Sequence, residues 1–266
     1  MSVLIVIPAR FASSRFPGKP LEMLRGATGL ERTLVQRTWE AAAATRGVDR
    51  VVVATDDIRI RDAVEAFGGE CVMTSPTCRN GTERCFAAIE RLGGRHDIVI
   101  NLQGDAPLTP PSFVESLIEA MRADPGVQVA TPVVRFDRKT LEGFAEDRRN
   151  NRVGGTTAVF NARNRALYFS KEIIPWTGFS FISDDPFPVF HHAGVYGYTP
   201  EALRWYCRCK PGVLEACEGL EQLRFLEHGM DVLCVEVEAA HNLFWEVNNP
   251  DDIARVEERL LSLGLE

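Results

Sequence analysis

The sequence predicts an α/β fold with an open, mostly parallel sheet in three layers. The chain opens on a continuous apolar run, "VLIVIP" at Val3–Pro8, which is typical of a strand buried on both faces. Similar runs recur at "RVVVAT", "ECVMT" and "DIVINL", and segments with helical periodicity separate them. Strands that alternate with helices in this way form parallel sheets through crossover helices.

The first half of the chain supplies most of this sheet. Helices are expected over Leu30–Ala42, within "DDIRIRDAVEAFGG" before its closing glycines, over Gly81–Leu92 and from Ser112 onwards. Ser112 and Glu115 have the spacing of a capping box, in which the two residues cap the first turn of a helix. A further strand, "VQVATPVV", follows this helix.

The second half has a less regular pattern. A hairpin is expected around Asn161–Arg165, then one strand in "VFHHAGVYGYT", a helix over Glu218–Glu227, a strand in "DVLCVEVE" and a helix from Pro250. We interpret residues 1–266 as a single domain, in which residues 140–200 form an irregular, β-rich lobe over the carboxyl ends of the strands.

Composition excludes several classes of partner. The chain has 266 residues, a net charge of -7 and a pI of about 5.4, so it has no general positive field for nucleic acid. No apolar stretch reaches the roughly 18 residues that a membrane span requires, and we expect a cytoplasmic protein. Seven cysteines lack paired spacing. A zinc site from Cys207, Cys209, Cys217 and His228 is conceivable, but reduced thiols are the simpler interpretation.

Three loops follow strands at the edge where ligands bind in such sheets. The first, residues 9–20, carries Arg10, Arg15 and Lys19 among small residues. It lacks the glycines of a dinucleotide fingerprint, and Ser13 and Pro20 break the pattern of a Walker loop. Its cations either bind a small anion through charge and backbone amides or are solvated loop residues.

The other two loops favour the anion. Asp105, after "NLQG", suits a Mg²⁺ ion that bridges a carboxylate and phosphate oxygens, although Gly104-Asp105 is also good turn chemistry. The loop "TSPTCRNGTER", residues 74–84, offers hydroxyl groups and Arg84 for a base edge or a phosphate.

Several stretches together resemble the sugar nucleotidyltransferases, and specifically the 3-deoxy-manno-octulosonate (Kdo) cytidylyltransferase, or CMP-Kdo synthetase, family. They occur in order along nearly the whole chain: "IPARFASSRFPGKPL", "VVVATDD", "FGGECVMTSP", "NGTER", "NLQGDAPL", "ALYFSKEIIPW", "HHAGVYGY", "LEQLRFLEHG" and "VNNPDDI". The first stretch and "LEQLR" are the most specific.

The resemblance implies the nucleotide-diphospho-sugar transferase fold and a Mg²⁺-dependent transfer of CMP from CTP to the anomeric hydroxyl of a 2-keto-3-deoxy sugar acid, with release of pyrophosphate. It also implies a homodimer that pairs through the lobe. Catalytic roles are implied for Arg10, Lys19 and Asp105. The nucleotide would bind at Ala9, Arg10, Ser13, Arg15, Lys19, Ser75, Gly81, Arg84 and Gln103. The sugar would bind at Gln103, Lys171, His192, Tyr196, Glu221 and Gln222, for which core packing or a solvated helix face is the alternative.

The sequence departs from the family pattern on the sugar side. Asn248 stands where the family has a second metal-binding aspartate, and Glu246 is a candidate to restore the lost charge. Thr157, Lys171 and His191 replace the family's usual basic residues. The nucleotide assignment is therefore firmer than the sugar assignment. Activation of another sugar acid, such as an amino-Kdo or a nonulosonate, and a nucleotide-binding paralogue without catalysis are the alternatives.

Overall fold

The computed structural model describes residues 1–12, 16–150, 155–177, 188–238, 247 and 249–265, apart from the side chain of Lys139. Its strands are β1 (Val3–Ala9), β2 (Met23–Arg25), β3 (Glu31–Thr33), β4 (Arg50–Thr55), β5 (Glu70–Met73), β6 (Ile98–Leu102), β7 (Val129–Arg135), β8 (Thr156–Phe160), β9 (Ala166–Ser170), β10 (Phe190–His192), β11 (Val195–Tyr198) and β12 (Leu233–Val237). Its helices are α1 (Leu34–Ala43), α2 (Ile58–Ala66), α3 (Gly81–Leu92), α4 (Pro111–Ala123), α5 (Arg138–Arg149), α6 (Pro200–Arg208), α7 (Val213–Glu218), α8 (Leu223–Glu227) and α9 (Asp252–Leu263), with a 3₁₀ turn at Lys19–Leu21.

Ten strands form one mixed sheet. The order is β5-β4-β1-β6-β11-β7-β10-β8-β9, and β12 pairs with β7. The pairings place β1, β4, β5, β6, β7, β8 and β12 in one direction, with β9, β10 and β11 opposed. The predicted mostly parallel α/β fold is confirmed. Of the strands in the predicted lobe, β10, β8 and β9 continue the sheet beyond β7, whereas β11 is inserted between β6 and β7.

Helices cover both faces of the sheet, because side chains along each central strand alternate between the two faces. Leu4 and Val6 of β1 lie in a core with residues of α3, α6 and α8, whereas Ile5 and Ile7 lie in a second core with residues of α1, α2 and α4. These two apolar layers give the three-layer arrangement. Among the described residues, no helix is long and apolar enough to cross a bilayer.

The carboxyl ends of four neighbouring parallel strands meet at one edge. Strands β5, β4, β1 and β6 end at Met73, Thr55, Ala9 and Leu102, so all three predicted loops lie together. The loop after β6 passes so close to the end of β1 that a Cβ atom on Gly104 would stand 2.7 Å from the carbonyl oxygen of Pro8. Glycine at this position therefore lets the two loops touch.

Two local predictions in the first half were wrong. The helix expected from Leu30 begins at Leu34, because Thr33 caps it and Glu31–Thr33 pairs with Met23–Arg25. Ser112 and Glu115 make no capping box: α4 begins after Pro110 with no side-chain cap. Glu115 instead accepts hydrogen bonds from the Arg46 amide and guanidinium.

The second half differs more from expectation. Helix α5 was missed, since its sequence is rich in charge and has few apolar residues. The strand expected in "VFHHAGVYGYT" is two strands, β10 and β11. The helix expected over Glu218–Glu227 is broken, because Gly219 ends α7 in the left-handed region at φ 63° and α8 begins only at Leu223. The hairpin at Asn161–Arg165 is confirmed.

Candidate active site

Lys19 and Asp105 form the centre of the candidate site. Lys19 Nζ lies 2.5 Å from Asp105 Oδ2 and donates a second bond to the carbonyl of Val247 at 2.9 Å. Val247 also donates its amide to the Asp105 carbonyl at 2.9 Å. A cation and a carboxylate predicted from separate loops are thus in direct contact, and Val247 forms a hydrogen bond with each residue.

The first loop is anchored around this contact. The Gly18 amide donates to the Phe11 carbonyl at 2.9 Å, with Gly18 at a φ of 76°. The Arg59 guanidinium stacks 3.3 Å from the centre of the Phe11 ring. Ala9 is buried at the end of β1 and Arg10 is exposed. Ser13 and Arg15 lie outside the described residues.

The second loop is held by its own side chains. Ser75 Oγ accepts from the Thr77 amide at 3.2 Å, which makes a compact turn. Arg84, expected to face the nucleotide, is buried, and it donates to Thr74 Oγ1 at 2.7 Å and to Asp56 at 3.3 Å. Arg84 therefore ties the ends of β4 and β5 together beneath the loop.

Gly81 stands over a cluster of amide side chains. A Cβ atom on Gly81 would lie 3.1 Å from both Asn101 Nδ2 and Gln103 Nε2. Gln103 Nε2 donates a long bond of 3.4 Å to Asn101 Oδ1. Asn101 is wholly buried, and its Nδ2 has no hydrogen-bond partner within the described part of the chain. A buried donor in this state is available to a ligand acceptor.

Glu221 and Gln222 connect the turn before α8 to this cluster. Glu221 Oε2 accepts from the Thr82 amide at 3.2 Å. Burial raises the pKa of the Glu221 carboxyl above its usual range, and the bonds from Thr82 partly oppose this shift. Gln222 Oε1 accepts from the Tyr196 hydroxyl at 3.0 Å, while its buried Nε2 has no partner among the described residues.

His192 lies next to Tyr196, with ring centres 5.4 Å apart. Its Nε2 is 2.9 Å from Thr131 Oγ1. Burial lowers the pKa of His192 to about 3 and that of His191 to about 4, so both rings are neutral at pH 7. The two residues were expected to share one strand with Tyr196; they lie on β10 instead, but the structure still brings His192 and Tyr196 together.

Two residues that depart from the family pattern, Thr157 and Lys171, make defined contacts. The Thr157 hydroxyl donates to the Glu172 carbonyl at 2.6 Å and accepts from the Ile174 amide at 3.2 Å, so it fixes the segment after β9. The Lys171 amide donates to Glu218 at 3.0 Å. Lys171 Nζ would be 3.1 Å from a Cβ atom on Gly219, which places the amine over the turn that leads to Glu221.

The Asp105 carboxylate fits a role as a Mg²⁺ ligand. It already accepts one cation, the Lys19 ammonium, and its side chain is 25% exposed, so an incoming ion can reach it. Its expected partners, Asn248 and Glu246, lie outside the described residues. Among the residues that are described, no three His, Cys, Asp or Glu side chains are grouped to hold a metal. The cysteines of the conceivable zinc site are free.

Sequence reasoning missed three polar residues of this region. Asn101 interrupts the apolar run of β6, a signal that could have been used. Thr131 left no local signal, since its partners lie up to 64 residues away along the chain. Arg224 falls within the stretch "LEQLR", but its ionic partners Glu83 and Glu215 lie outside that stretch.

Comparison with known proteins places the chain in a family. A cytidylyltransferase family model matches residues 4–232. The chain is 48% identical over 264 residues, 99% of either chain, to a 3-deoxy-manno-octulosonate cytidylyltransferase of Maricaulis maris. It is 42% identical to an 8-amino-3,8-dideoxy-manno-octulosonate cytidylyltransferase of Shewanella loihica, covering 98% of this chain and 99% of the relative.

A solved structure supports the same family assignment. A CMP:2-keto-3-deoxy-manno-octonic acid synthetase complexed with CTP superposes with a TM-score of 0.84 at 34% identity, with 100% of both chains covered. The recurrence of one fold, the full-length coverage and these identities have one explanation: the chain belongs to the 3-deoxy-manno-octulosonate cytidylyltransferase family.

Proposed function

We propose that this protein transfers CMP from CTP to the anomeric hydroxyl of Kdo or a closely related 2-keto-3-deoxy sugar acid and releases pyrophosphate. The observation that carries the proposal is the contact between Lys19 and Asp105 at the meeting point of the three loops. The full-length similarity to relatives named for this reaction supports it.

In this proposal, the first loop binds the triphosphate. In-line attack on the α-phosphate requires that the charge of the phosphate oxygens be neutralised and that the reacting groups be aligned. The Lys19 ammonium is positioned by Asp105 and by the Val247 carbonyl. When the triphosphate arrives, Lys19 would exchange part of this contact for phosphate oxygens, with the exposed Arg10 adding charge at the mouth.

Mg²⁺ is the cofactor that we propose. Asp105 would hold it, together with Asn248 or Glu246, and the bound ion would neutralise phosphate charge and make the sugar hydroxyl more acidic. The proposal for Asp105 rests on the accessible carboxylate beside the triphosphate loop.

The polar side chains around Tyr196 would bind the acceptor, the sugar acid. Gln103, Gln222 and Tyr196 offer hydrogen-bond donors and acceptors, and Lys171 supplies a positive charge for the sugar carboxylate. Because a lysine lacks the planar fork of arginine, carboxylate binding here would depend on charge more than on geometry.

The test of this function is pyrophosphate release from CTP with different acceptors. We expect release with Kdo and Mg²⁺, and loss of release with a chelator in place of Mg²⁺. The 42% identical relative makes 8-amino-Kdo the second candidate acceptor. Release with the amino sugar alone would replace the first proposal by the second. Binding of CTP without release for either acceptor would indicate a non-catalytic paralogue.

Asp105→Asn tests the role of the carboxylate. The variant keeps the size of the side chain and the backbone bond to Val247 but removes the negative charge, so we expect turnover to fall by at least about 100-fold while the thermal transition persists. Asp62→Asn is the matched control, since Asp62 is exposed on α2 and pairs with its neighbour Arg61. Full activity of Asp105→Asn would remove the carboxylate from the mechanism.

A further inference from the structure

Thr131 lies where strands β10 and β11 separate. The residue is on β7 and is wholly buried. Opposite Thr131 the chain passes from β10 to β11, and Val195 begins β11, where it pairs with Leu102 of β6 rather than with β7. In this connection the Ala193 amide donates to the Pro132 carbonyl at 3.2 Å and the Val195 amide donates to the Ala193 carbonyl at 2.7 Å. The Thr131 hydroxyl therefore faces a break in the sheet where backbone carbonyls need donors.

Three acceptor or donor atoms surround this hydroxyl. Thr131 Oγ1 is 2.8 Å from the carbonyl oxygen of Val195, 3.3 Å from that of Ala193 and 2.9 Å from His192 Nε2. A hydroxyl has one hydrogen to donate and two lone pairs that accept. Carbonyl oxygens only accept, so the close approach of 2.8 Å requires that the hydrogen point to Val195.

The direction of the Thr131 hydroxyl hydrogen determines which ring nitrogen of His192 carries a hydrogen. With its hydrogen committed to Val195, Thr131 Oγ1 can only accept from His192, so Nε2 must carry a hydrogen. In a neutral imidazole the other nitrogen is then bare and can only accept. The ring is neutral, because burial and the neighbouring His191 lower its pKa to about 3.

The bare nitrogen is left for a ligand. Within the described ranges, His192 Nδ1 makes no hydrogen bond, and the ring is surrounded by Phe169 and Tyr196 at 4.9 and 5.4 Å between ring centres. Tyr196 in turn bonds Gln222, whose Nε2 is also unpartnered there. An acceptor on His192 and a buried donor on Gln222 are therefore both available, and Tyr196 contacts both residues.

We propose that Thr131 is a positioning residue that fixes His192 as the Nε2–H tautomer, so that Nδ1 accepts a hydrogen bond from a hydroxyl group of the sugar acid. An ionised carboxylate carries no hydrogen and is repelled by this lone pair, so the sugar carboxylate binds elsewhere. The identity of the hydroxyl donor rests on the proposed function; the tautomer does not.

The tautomer is read directly from the ¹⁵N resonances of the imidazole rings in the ligand-free protein, with His192→Gln used to identify the signals of His192. We expect the pattern of a protonated Nε2 and a bare Nδ1. A protonated Nδ1 would overturn the proposal whether or not the enzyme turns over Kdo. Absence of turnover with every sugar acid, on the other hand, would remove the proposed function and leave the tautomer measurement standing.

Two variants test the positioning role. Thr131→Val keeps the shape but loses the hydroxyl, and Thr131→Ser keeps the hydroxyl. We expect Thr131→Val to mix the tautomers and to raise KM for the sugar by about threefold to tenfold, the value of one neutral hydrogen bond, with KM for CTP unchanged. Thr131→Ser should keep the single tautomer and the wild-type KM for the sugar. An unchanged tautomer with an unchanged sugar KM, or an equal rise in both KM values, would overturn the positioning role; if Thr131→Val does not fold, the wild-type spectrum and Thr131→Ser decide.

Discussion

Lys19 shows what a single side chain contributes at this sheet edge. Its ammonium has two oxygen partners and is largely shielded from solvent. In the proposed reaction it would stabilise the charge that develops on the phosphates. Lys19→Met should lower kcat by about 100-fold or more, the usual effect of removing one preorganised donor, in a pyrophosphate-release assay. Lys210→Met, at an exposed lysine, is the control. An unchanged kcat would make Lys19 an ordinary loop residue.

His191 makes stability depend on pH. Burial lowers the pKa of His191 to about 4 and that of His192 to about 3, from 6.5. As pH falls, the unfolded chain therefore takes up protons at these histidines before the folded chain does. The stability that depends on a neutral His191 ring is fully present above about pH 6.5 and is lost between about pH 6.5 and 4. Urea unfolding should give a lower free energy of unfolding at pH 5 than at pH 6. His191→Gln should make that difference smaller by about 1 kcal/mol.

The control for this pH effect is His228→Gln, since the His228 side chain is exposed. This variant should keep the wild-type pH dependence. Equal slopes for His191→Gln and the wild type would mean that the His191 ring is not the source of the effect. The packing of His191 against Phe144, with ring centres 5.4 Å apart, is the feature that a charged ring would disturb.

At the level of elements, Arg224 joins α3, α7 and α8. Its side chain is 1% exposed, ion-paired with Glu215 and 3.7 Å from Glu83, and its guanidinium lies 3.9 Å from the centre of the Tyr206 ring. Removing one member of a buried charged group leaves the others uncompensated. Arg224→Met should therefore lower the free energy of unfolding in urea by about 3 kcal/mol.

Arg204→Met is the matched control for Arg224→Met. Arg204 makes a surface ion pair of 3.9 Å with Glu90, and such pairs contribute about 1 kcal/mol at most. Equal destabilisation by the two variants would contradict a structural role for the buried group. Loss of this group would also loosen the connection between the Asn80–Thr82 turn and Glu221, because Asn80 donates to the Tyr206 hydroxyl at 2.7 Å.

Elements differ in how far the sequence predicts them. Strands such as β1 and β6 were predicted because a strand buried on both faces is apolar throughout, a local property. The approach of Lys19 to Asp105 followed from the shared edge of parallel strands. Helix α5 was hidden by its charge-rich sequence, whereas the break at Gly219 had a local signal that was not used, the glycine itself. The Ser112–Glu115 box failed because a distant residue, Arg46, took the carboxylate, and local patterns carry no information about such partners.

At the scale of the whole molecule, the sheet extends through β8 and β9 to a surface with large exposed apolar side chains. Leu167 on β9 is 61% exposed and Trp176, after it, 88% exposed. A tryptophan this exposed favours contact with another protein surface, and both residues lie in the region for which we predict homodimer contacts.

Light scattering should therefore give about twice the chain mass of 29.6 kDa. Trp176→Arg should shift the protein towards the monomer, since a charge in the centre of an apolar contact is left desolvated and unpaired. Leu261→Arg is the control, because Leu261 is 65% exposed on α9, outside the lobe, and it should leave the mass unchanged. A monomeric wild-type protein, or a dimer that survives Trp176→Arg and dissociates with Leu261→Arg, would move the interface away from the lobe.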